Sequence, residues 1–263
     1  MDERISIISK LAGNFLTGLP LQPKAQPGTS RDGGPGHSTL YKTLPCRPES
    51  EYSMSADKST SWSYAEDLPA EDEVMLRARE RSFELGVTPV GPGVGAVLTV
   101  LAAASKAQTA VEIGTGAGVS GVCILRGLGA QAVLTTIDVD VEHLKAAREA
   151  FSEAGSPANR TRTISGRAGD VLPRLTDSAY DLVFIDADKP GLPGYVEQAI
   201  RLLKAGGLLI INDALDKDRV ANPADRDAST VVLRHVGKAI RDDERLASAM
   251  LPTGDGLLVA VKK

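Results

Sequence analysis

Short apolar segments alternate with helix-like segments along most of the chain, and this alternation constrains the fold more than any other feature. The pattern predicts strands at 110–113, 133–137, 161–165, 182–185, 208–211 and 257–261, with helices at 119–128, 141–154, 170–175, 195–203 and 231–240. Apolar strands separated by helices form a mostly parallel sheet that is covered on both faces. We therefore predict a doubly wound α/β fold that binds its ligands at the carboxyl ends of the strands.

The residues before this region differ in composition. Scattered Gly and Pro among polar residues predict that 1–53 is a disordered or poorly specified extension, and that 54–263 is the folded domain. Within that domain we expect a helix from Pro69 that ends before Gly86, with apolar positions that include Leu76 and Phe83. A second helix is expected at 93–104. Trp62 and Tyr64 lie ahead of the first predicted helix, where they would cover a ligand or contact a partner subunit.

Charge and cysteine content exclude several classes of function. The 263 residues carry a formal net charge of -4, and the pI is near 5.5. These values argue against a nucleic acid or an anionic membrane as partner. No apolar run is long enough to cross a bilayer, and we recognise no signal peptide. Cys46 and Cys123 are the two cysteines, too few for a disulfide framework, so we expect a cytoplasmic protein.

A glycine-rich loop follows the first predicted strand of the alternating region. Gly114, Gly116 and Gly118 are spaced as GxGxG and precede a predicted helix. Glycine permits positive φ and lets a ligand approach the backbone closely. Dinucleotide-binding loops usually read GxGxxG, and the residue that would complete that pattern here is Val119. The loop therefore predicts a nucleotide-like cofactor other than NAD, with a simple tight turn as the alternative.

Two carboxylates accompany the glycines. Asp138 ends the next strand, where an acidic side chain can accept hydrogen bonds from both hydroxyls of a ribose. It can also cap the helix that follows. Glu112 lies at the end of the first of these strands, directly before the loop. Because a cationic sulfonium tolerates this acidity better than a pyrophosphate does, the pattern favours S-adenosylmethionine as cofactor.

A second polar set follows two later strands. Asp186 ends one of them, and Asn212 and Asp213 end the next. Neighbouring parallel strands lie ~4.8 Å apart, so these side chains should converge on one site. Two carboxylates and an amide oxygen suit Mg²⁺ or Ca²⁺ better than zinc. The alternative is a set of solvated loop carboxylates and helix caps.

These residues resemble the cation-dependent O-methyltransferases of the catechol and caffeoyl-CoA type and their bacterial relatives. The resemblance covers about 69–263 and is carried by VEIGTG at 111–116, TID at 136–138, DLVFIDADK at 181–189 and LLKAGG at 202–207, of which FIDADK is the most specific. It implies a Rossmann-like methyltransferase fold with seven strands, the last antiparallel, and a homodimer. It implies cofactor contacts from a set of nine residues: Val90, Glu112, Gly114, Thr115, Gly116, Ser120, Asp138, Val139 and Asp188.

The resemblance also implies the chemistry. The enzyme would transfer a methyl group to a catechol-like or other phenolic hydroxyl of a small molecule. Asp186 would ligate the metal and face the substrate, and Lys189 would act as general base. A divalent cation bound to both hydroxyls of a catechol would favour their ionisation and fix their orientation. Without the preceding Asp186 and Asp188 and the family resemblance, Lys189 would be interpreted as a surface lysine.

One departure from the family pattern leaves alternatives open. The family usually carries Asp-Asn after the fifth strand, whereas this chain has Asn212-Asp213. Successive strand residues point to opposite faces, so the reversal could weaken, reorganise or abolish metal binding. The alternatives are a metal-independent methyltransferase of the same fold, and a non-catalytic cofactor-binding protein or dinucleotide oxidoreductase.

The remaining candidates carry weaker expectations. The three histidines His37, His143 and His235 show no metal-ligand spacing, so we expect all of them to be solvated. Cys123 should lie in the core. The polar segment 217–227 either borders the acceptor site or is a solvated connection.

Overall fold

The computed structural model describes residues 56–263, so the predicted extension 1–53, with His37 and Cys46, lies outside the described residues. Eight helices are present in this part of the chain: α1 Ala56–Asp67, α2 Glu73–Glu84, α3 Pro92–Ala104, α4 Val119–Gly127, α5 Val141–Glu153, α6 Ala168–Val171, α7 Leu192–Leu202 and α8 Ala228–Asp242. Seven strands accompany them: β1 Thr109–Ile113, β2 Val133–Asp138, β3 Thr161–Ser165, β4 Tyr180–Ile185, β5 Leu203–Ile211, β6 Leu246–Leu251 and β7 Leu257–Lys262.

The strands form one sheet in the order β3-β2-β1-β4-β5-β7-β6. The five strands from β3 to β5 pair in parallel, whereas β7 runs antiparallel to both β5 and β6. This confirms the predicted mostly parallel, seven-stranded fold with an antiparallel final strand. The order reverses next to β1, so the carboxyl ends of β1, β2 and β4 border the crevice where such sheets bind ligands.

Side chains at alternate strand positions point to opposite faces of the sheet. Ala110, Leu134 and Phe184 point to the face covered by α3, α4 and α5, where Cys123 is also buried as predicted. Val111 and Val183 point to the face covered by α6, α7 and α8. The helices on each side bury most of the central strands β1 and β4, so the strand ends become the sites left open for polar groups.

Two elements of the structure, α1 and β6, were not predicted from the sequence. Helix α1 was not predicted, and it carries Trp62 and Tyr64, so these residues belong to the first described helix instead of preceding it. Its sequence lacks the periodic apolar positions that would predict a helix. The end of the helix is attached through Glu66, whose carboxylate accepts from Thr253 Oγ1 at 2.7 Å and from Gly254 N at 2.8 Å. Strand β6 was also missed because this edge strand exposes most of its small side chains and is defined by its pairing with β7.

Several predicted bounds are corrected as well. The helix expected from Pro69 begins at Glu73, after the N-cap Asp72. Leu76 and Phe83 are exposed there, and Met75, Ala78 and Ser82 form the buried face of α2 instead. The helix expected at 170–175 is the short α6 followed by a 3-10 turn at Leu172–Arg174. Within 56–263, no helix has the length and apolar character required to cross a membrane.

Candidate active site

A cavity of about 570 Å³ opens at the carboxyl ends of β1, β2 and β4. Its volume falls in the range of small-molecule sites. Its walls are the glycine loop, the end of β2, the turn after β4 and the segment between α2 and α3. The residues of those walls on which the assignment depends are Val90, Gly114, Thr115, Gly116, Ser120, Asp138, Val139, His143, Arg167, Asp186, Asp188 and Tyr195.

The glycine loop has the conformation that its sequence predicts. Gly114, Gly116 and Gly118 have φ values of 91°, 50° and 90°. A Cβ placed on Gly114 would lie 1.9 Å from the carbonyl oxygen of Asp186. The first glycine is therefore required by the close approach of the two loops as well as by its dihedral angle.

Asp138 holds the glycine loop from the neighbouring strand. Its Oδ2 accepts from the backbone N–H groups of Thr115 and Gly116, both at 3.0 Å. Its Oδ1 accepts from the N–H of Asp140 at 2.9 Å and lies 3.3 Å from Nδ1 of His143. Asp140 caps α5, so the capping role considered for Asp138 belongs to its neighbour. Asp138 thus shapes the loop and presents a carboxylate to the cavity.

Glu112 lies beneath the cavity and is fully buried. Ser120 Oγ donates to its Oε1 and Thr136 Oγ1 donates to its Oε2, each at 2.6 Å. Burial raises the pKa of Glu112 to about 7, although these two hydrogen bonds favour the charged form. Glu112 is thus the one predicted cofactor residue that does not line the cavity, whereas its hydrogen-bond partner Ser120 does.

The second polar set surrounds Asp186, the member that it shares with the cavity. Asn212 Nδ2 donates to Asp213 Oδ1 at 3.1 Å, and Lys189 Nζ donates to the carbonyl of Asn212 at 3.3 Å. Burial, followed by the charge of Asp213, raises the pKa of Asp186 to about 6. Burial also raises the pKa of Asp213. Asp186 lines the cavity, whereas Lys189, Asn212 and Asp213 lie outside its lining.

This set can hold a hard cation only as a mixed carboxylate and amide site. Among residues 56–263, no group of three or more His, Cys, Asp and Glu side chains is arranged to hold a metal ion. The carboxylates of Asp186 and Asp213 are close enough to repel each other, and such repulsion favours a divalent cation between them. The amide of Asn212 points its N–H at Asp213, so its oxygen would have to turn to become a ligand.

Asp188 is engaged by the wall of the cavity. Tyr195 Oη donates to its Oδ1 at 2.7 Å and Gly191 N donates to its Oδ2 at 2.8 Å. Burial and then this hydrogen bond raise the pKa of Tyr195 to about 12. The phenol therefore stays a donor, and Asp188 stays oriented at the rim of the cavity.

Some lining residues were missed by the sequence analysis. His143 was expected to be solvated, but it lines the cavity beside Asp138, and that expectation was wrong. Its position in the first turn of α5, the helix that follows β2, is the signal that would have found it. His235 is exposed, as expected. Arg167 and Tyr195 also line the cavity, and no motif in the sequence marks them.

Known proteins resemble this chain over most of its length. A family model described as O-methyltransferase matches residues 67–263. A Mycobacterium tuberculosis protein that carries the name "probable O-methyltransferase" is 45% identical over 232 residues, which are 88% of this chain and 99% of that protein.

Solved structures share the fold. A crystal structure of a Corynebacterium glutamicum protein has a TM-score of 0.73 and 34% identity, and it covers 78% of this chain and 97% of its own. The O-methyltransferase TomG of Streptomyces achromogenes, involved in tomaymycin synthesis and solved in complex with S-adenosylmethionine, has a TM-score of 0.70 and 26% identity. That match covers 78% of this chain and 96% of TomG.

Proposed function

This chain belongs to the O-methyltransferase family, and we propose that its cavity binds S-adenosylmethionine and serves methylation of a hydroxyl on a small molecule. The family match covers residues 67–263, which include every element around the cavity. Membership in this family also decides against the dinucleotide oxidoreductase considered above. The observation that carries the assignment is the contact of Asp138 with the glycine loop at the edge of a cavity of sufficient size.

The residues present fit this cofactor. Asp138, Asp186 and Asp188 place carboxylates around the cavity, where they favour a ligand with a cationic sulfonium and an ammonium group. The glycines leave the backbone of the loop open to close approach. S-adenosylmethionine would supply a methyl group on a cationic sulfur that an oxygen nucleophile can attack, with S-adenosylhomocysteine as the leaving group. Binding both reactants in one cavity lowers the barrier through proximity and orientation.

The acceptor side would be formed by Asp186, Lys189, Asn212 and Asp213. A phenolic hydroxyl has a pKa near ~10, so it must lose a proton to become a good nucleophile. Lys189 is placed next to this set, and we assign it as the group that accepts this proton. Asp186 borders both the cofactor cavity and this set, so it orients the acceptor toward the cofactor.

The donor set is compatible with Mg²⁺ or Ca²⁺, and we propose that Asp186, Asp213 and Asn212 hold it. Such an ion would withdraw charge from the acceptor oxygens. The hydrogen bond between Asn212 and Asp213 favours a second candidate, the same methyl transfer without a metal, because it occupies two of the three ligands with each other. The predicted homodimer, the cytoplasmic location and the exclusion of nucleic acid and membrane partners stay predictions.

The test is release of S-adenosylhomocysteine with a panel of catechols and simple phenols, in Mg²⁺ and again in EDTA. Turnover that EDTA abolishes supports the metal-assisted reaction, and turnover that EDTA leaves unchanged supports the second candidate. The matched variant is Asn212→Asp combined with Asp213→Asn, which restores the Asp-Asn order of the family. Position 213 has a φ of 51°, a conformation that Asn and Asp both tolerate, so the exchange should fold. Calorimetry that detects no S-adenosylmethionine binding would overturn the proposed function.

A further inference from the structure

The segment between α2 and α3 forms the wall of the cavity that faces the glycine loop. Val87, Thr88, Pro89 and Val90 all line the cavity, and Val90 is 5% exposed. A Cβ on Gly116 would lie 3.2 Å from Cγ1 of Val87, so the wall and the loop are close neighbours. The position of this wall therefore sets the width of the cofactor cavity.

Arg79 on α2 reaches from its helix to this wall. Its Nη1 donates to the carbonyl oxygen of Val90 at 2.7 Å. That carbonyl precedes α3, whose N-cap is Gly91, and so lies outside the hydrogen-bond ladder of the helix. The guanidinium is thus the group that fixes the end of the wall.

Glu71 orients the guanidinium from the other side. Its two carboxylate oxygens accept from Arg79 Nε at 2.6 Å and from Nη2 at 2.7 Å. Both side chains are only 14% exposed, so the pair is shielded from solvent. A two-point contact of this kind holds the plane of an arginine and leaves its remaining N–H groups in a set direction. A lysine has no equivalent planar fork.

A different ion-pair cluster attaches α2 to the rest of the domain. Arg77 Nε and Arg81 Nη1 both donate to Glu153 at the end of α5, at 3.1 Å and 3.0 Å. Glu153 does not line the cavity. The Glu71–Arg79 pair therefore reaches the cavity wall, whereas the pairs of Arg77 and Arg81 with Glu153 only attach α2 to α5.

We propose that Arg79 is a positioning residue for the cofactor: oriented by Glu71, it holds the carbonyl of Val90 and so keeps the wall of the cavity at the distance that the cofactor requires. This inference rests on the proposed function, because it concerns the same cavity. It assigns to the Glu71–Arg79 pair an effect on cofactor affinity, in addition to any effect on stability.

The experiment uses three variants of the pair: Arg79→Lys, Glu71→Gln, and an apolar double variant that combines Glu71→Met and Arg79→Met. The matched control is Glu153→Gln. Calorimetry gives the Kd of S-adenosylmethionine, thermal unfolding gives the Tm, and steady-state kinetics give KM and kcat. We expect each Glu71 or Arg79 variant to bind the cofactor about tenfold more weakly, the effect of losing one hydrogen bond to a charged group. The KM for the cofactor should rise while kcat at saturating cofactor stays near the wild-type value. Glu153→Gln should lower the Tm and leave the Kd unchanged.

The double variant keeps the test decisive, because it leaves no unpaired buried charge that would prevent folding. If it is folded and binds the cofactor as the wild type does, the inference is wrong. The same holds if Glu153→Gln weakens binding as much as Arg79→Lys does, since the effect would then follow stability alone. Failure of the wild type itself to bind the cofactor would instead remove the proposed function, so the two failures are distinguishable.

Discussion

Glu112 and Thr136 lie directly opposite each other in the parallel pair of β1 and β2, and the Thr136 hydroxyl donates to Glu112 Oε2 at 2.6 Å. Thr115 Oγ1 lies 2.6 Å from the same hydroxyl, and Ser120 donates to the other carboxylate oxygen. A carboxylate inside the sheet thus ties both ends of the glycine loop to the neighbouring strand. The loop is held in place by this buried network from below and by Asp138 from its edge.

The first prediction concerns the pH dependence of stability. Burial raises the pKa of Glu112 from 4.5 to about 7, so the folded chain keeps a proton that the unfolded chain loses. This contribution to stability is fully present below pH 4.5 and is lost as the pH rises through 7. It should amount to on the order of 3 kcal/mol. Urea unfolding from pH 4 to pH 8 should show that Glu112→Gln lacks this part of the dependence.

The control for that experiment is Glu142→Gln, a change at an exposed carboxylate in the first turn of α5. It should keep the wild-type pH dependence. Parallel stability curves for Glu112→Gln and the wild type would show that Glu112 does not titrate in this range.

The second prediction concerns Asp138. Asp138→Asn should raise the Kd of S-adenosylmethionine at least about tenfold, because an amide has one accepting oxygen and cannot accept from the glycine loop and from the N–H of Asp140 at once, and because it presents no charge to the cavity. Asp140→Asn is the matched change two residues away. Asn caps helices as well as Asp does, so cofactor affinity should not change there. Calorimetric titration measures both, and equal affinities for the two variants would contradict the role given to Asp138.

The third prediction separates packing from conformation at a glycine. Gly114→Ala should destabilise the fold by about 3 kcal/mol or more, because its Cβ would strike the carbonyl of Asp186 in addition to the strain of a positive φ. Gly155→Ala, at a φ of 73° with nothing within 4 Å of the added carbon, should cost only about 1 kcal/mol. Denaturant unfolding of the two variants tests the difference, and similar losses would mean that the loops can separate freely.

The fourth prediction concerns the proposed base. Lys189→Ala should lower kcat by about a hundredfold or more, the usual contribution of a general base, and should leave the KM for S-adenosylmethionine near its wild-type value. Lys238→Ala, at an exposed lysine on α8, should retain activity. Full activity in Lys189→Ala would eliminate this lysine as the base.

Much of the site was predictable because strand ends are visible in a sequence. The glycine loop follows β1, Asp138 ends β2, and Asp186 follows β4, so a parallel sheet brings all three to one edge. The resemblance to a known family supplied further cofactor residues, among them Val90, Val139 and Asp188, and these line the cavity, whereas Glu112 does not. Residues such as Arg167 and Tyr195 could not be predicted, because no periodic or glycine pattern marks a side chain that enters a cavity from a loop or a helix end.

The sequence by itself determined the α/β class, the mostly parallel sheet and the edge at which the cavity opens, because these depend on local apolar patterns and on the geometry that all parallel sheets share. Only the tertiary structure decided that β6 pairs with β7, that Glu66 holds α1 against the β6–β7 turn, that Glu112 is buried beneath Ser120, and that Arg79 holds the carbonyl of Val90. Each of these depends on a contact whose partner no local pattern identifies. The physical reason is that a hydrogen bond or a buried charge is specified by both of its partners, and the second partner is known only when the chain has folded.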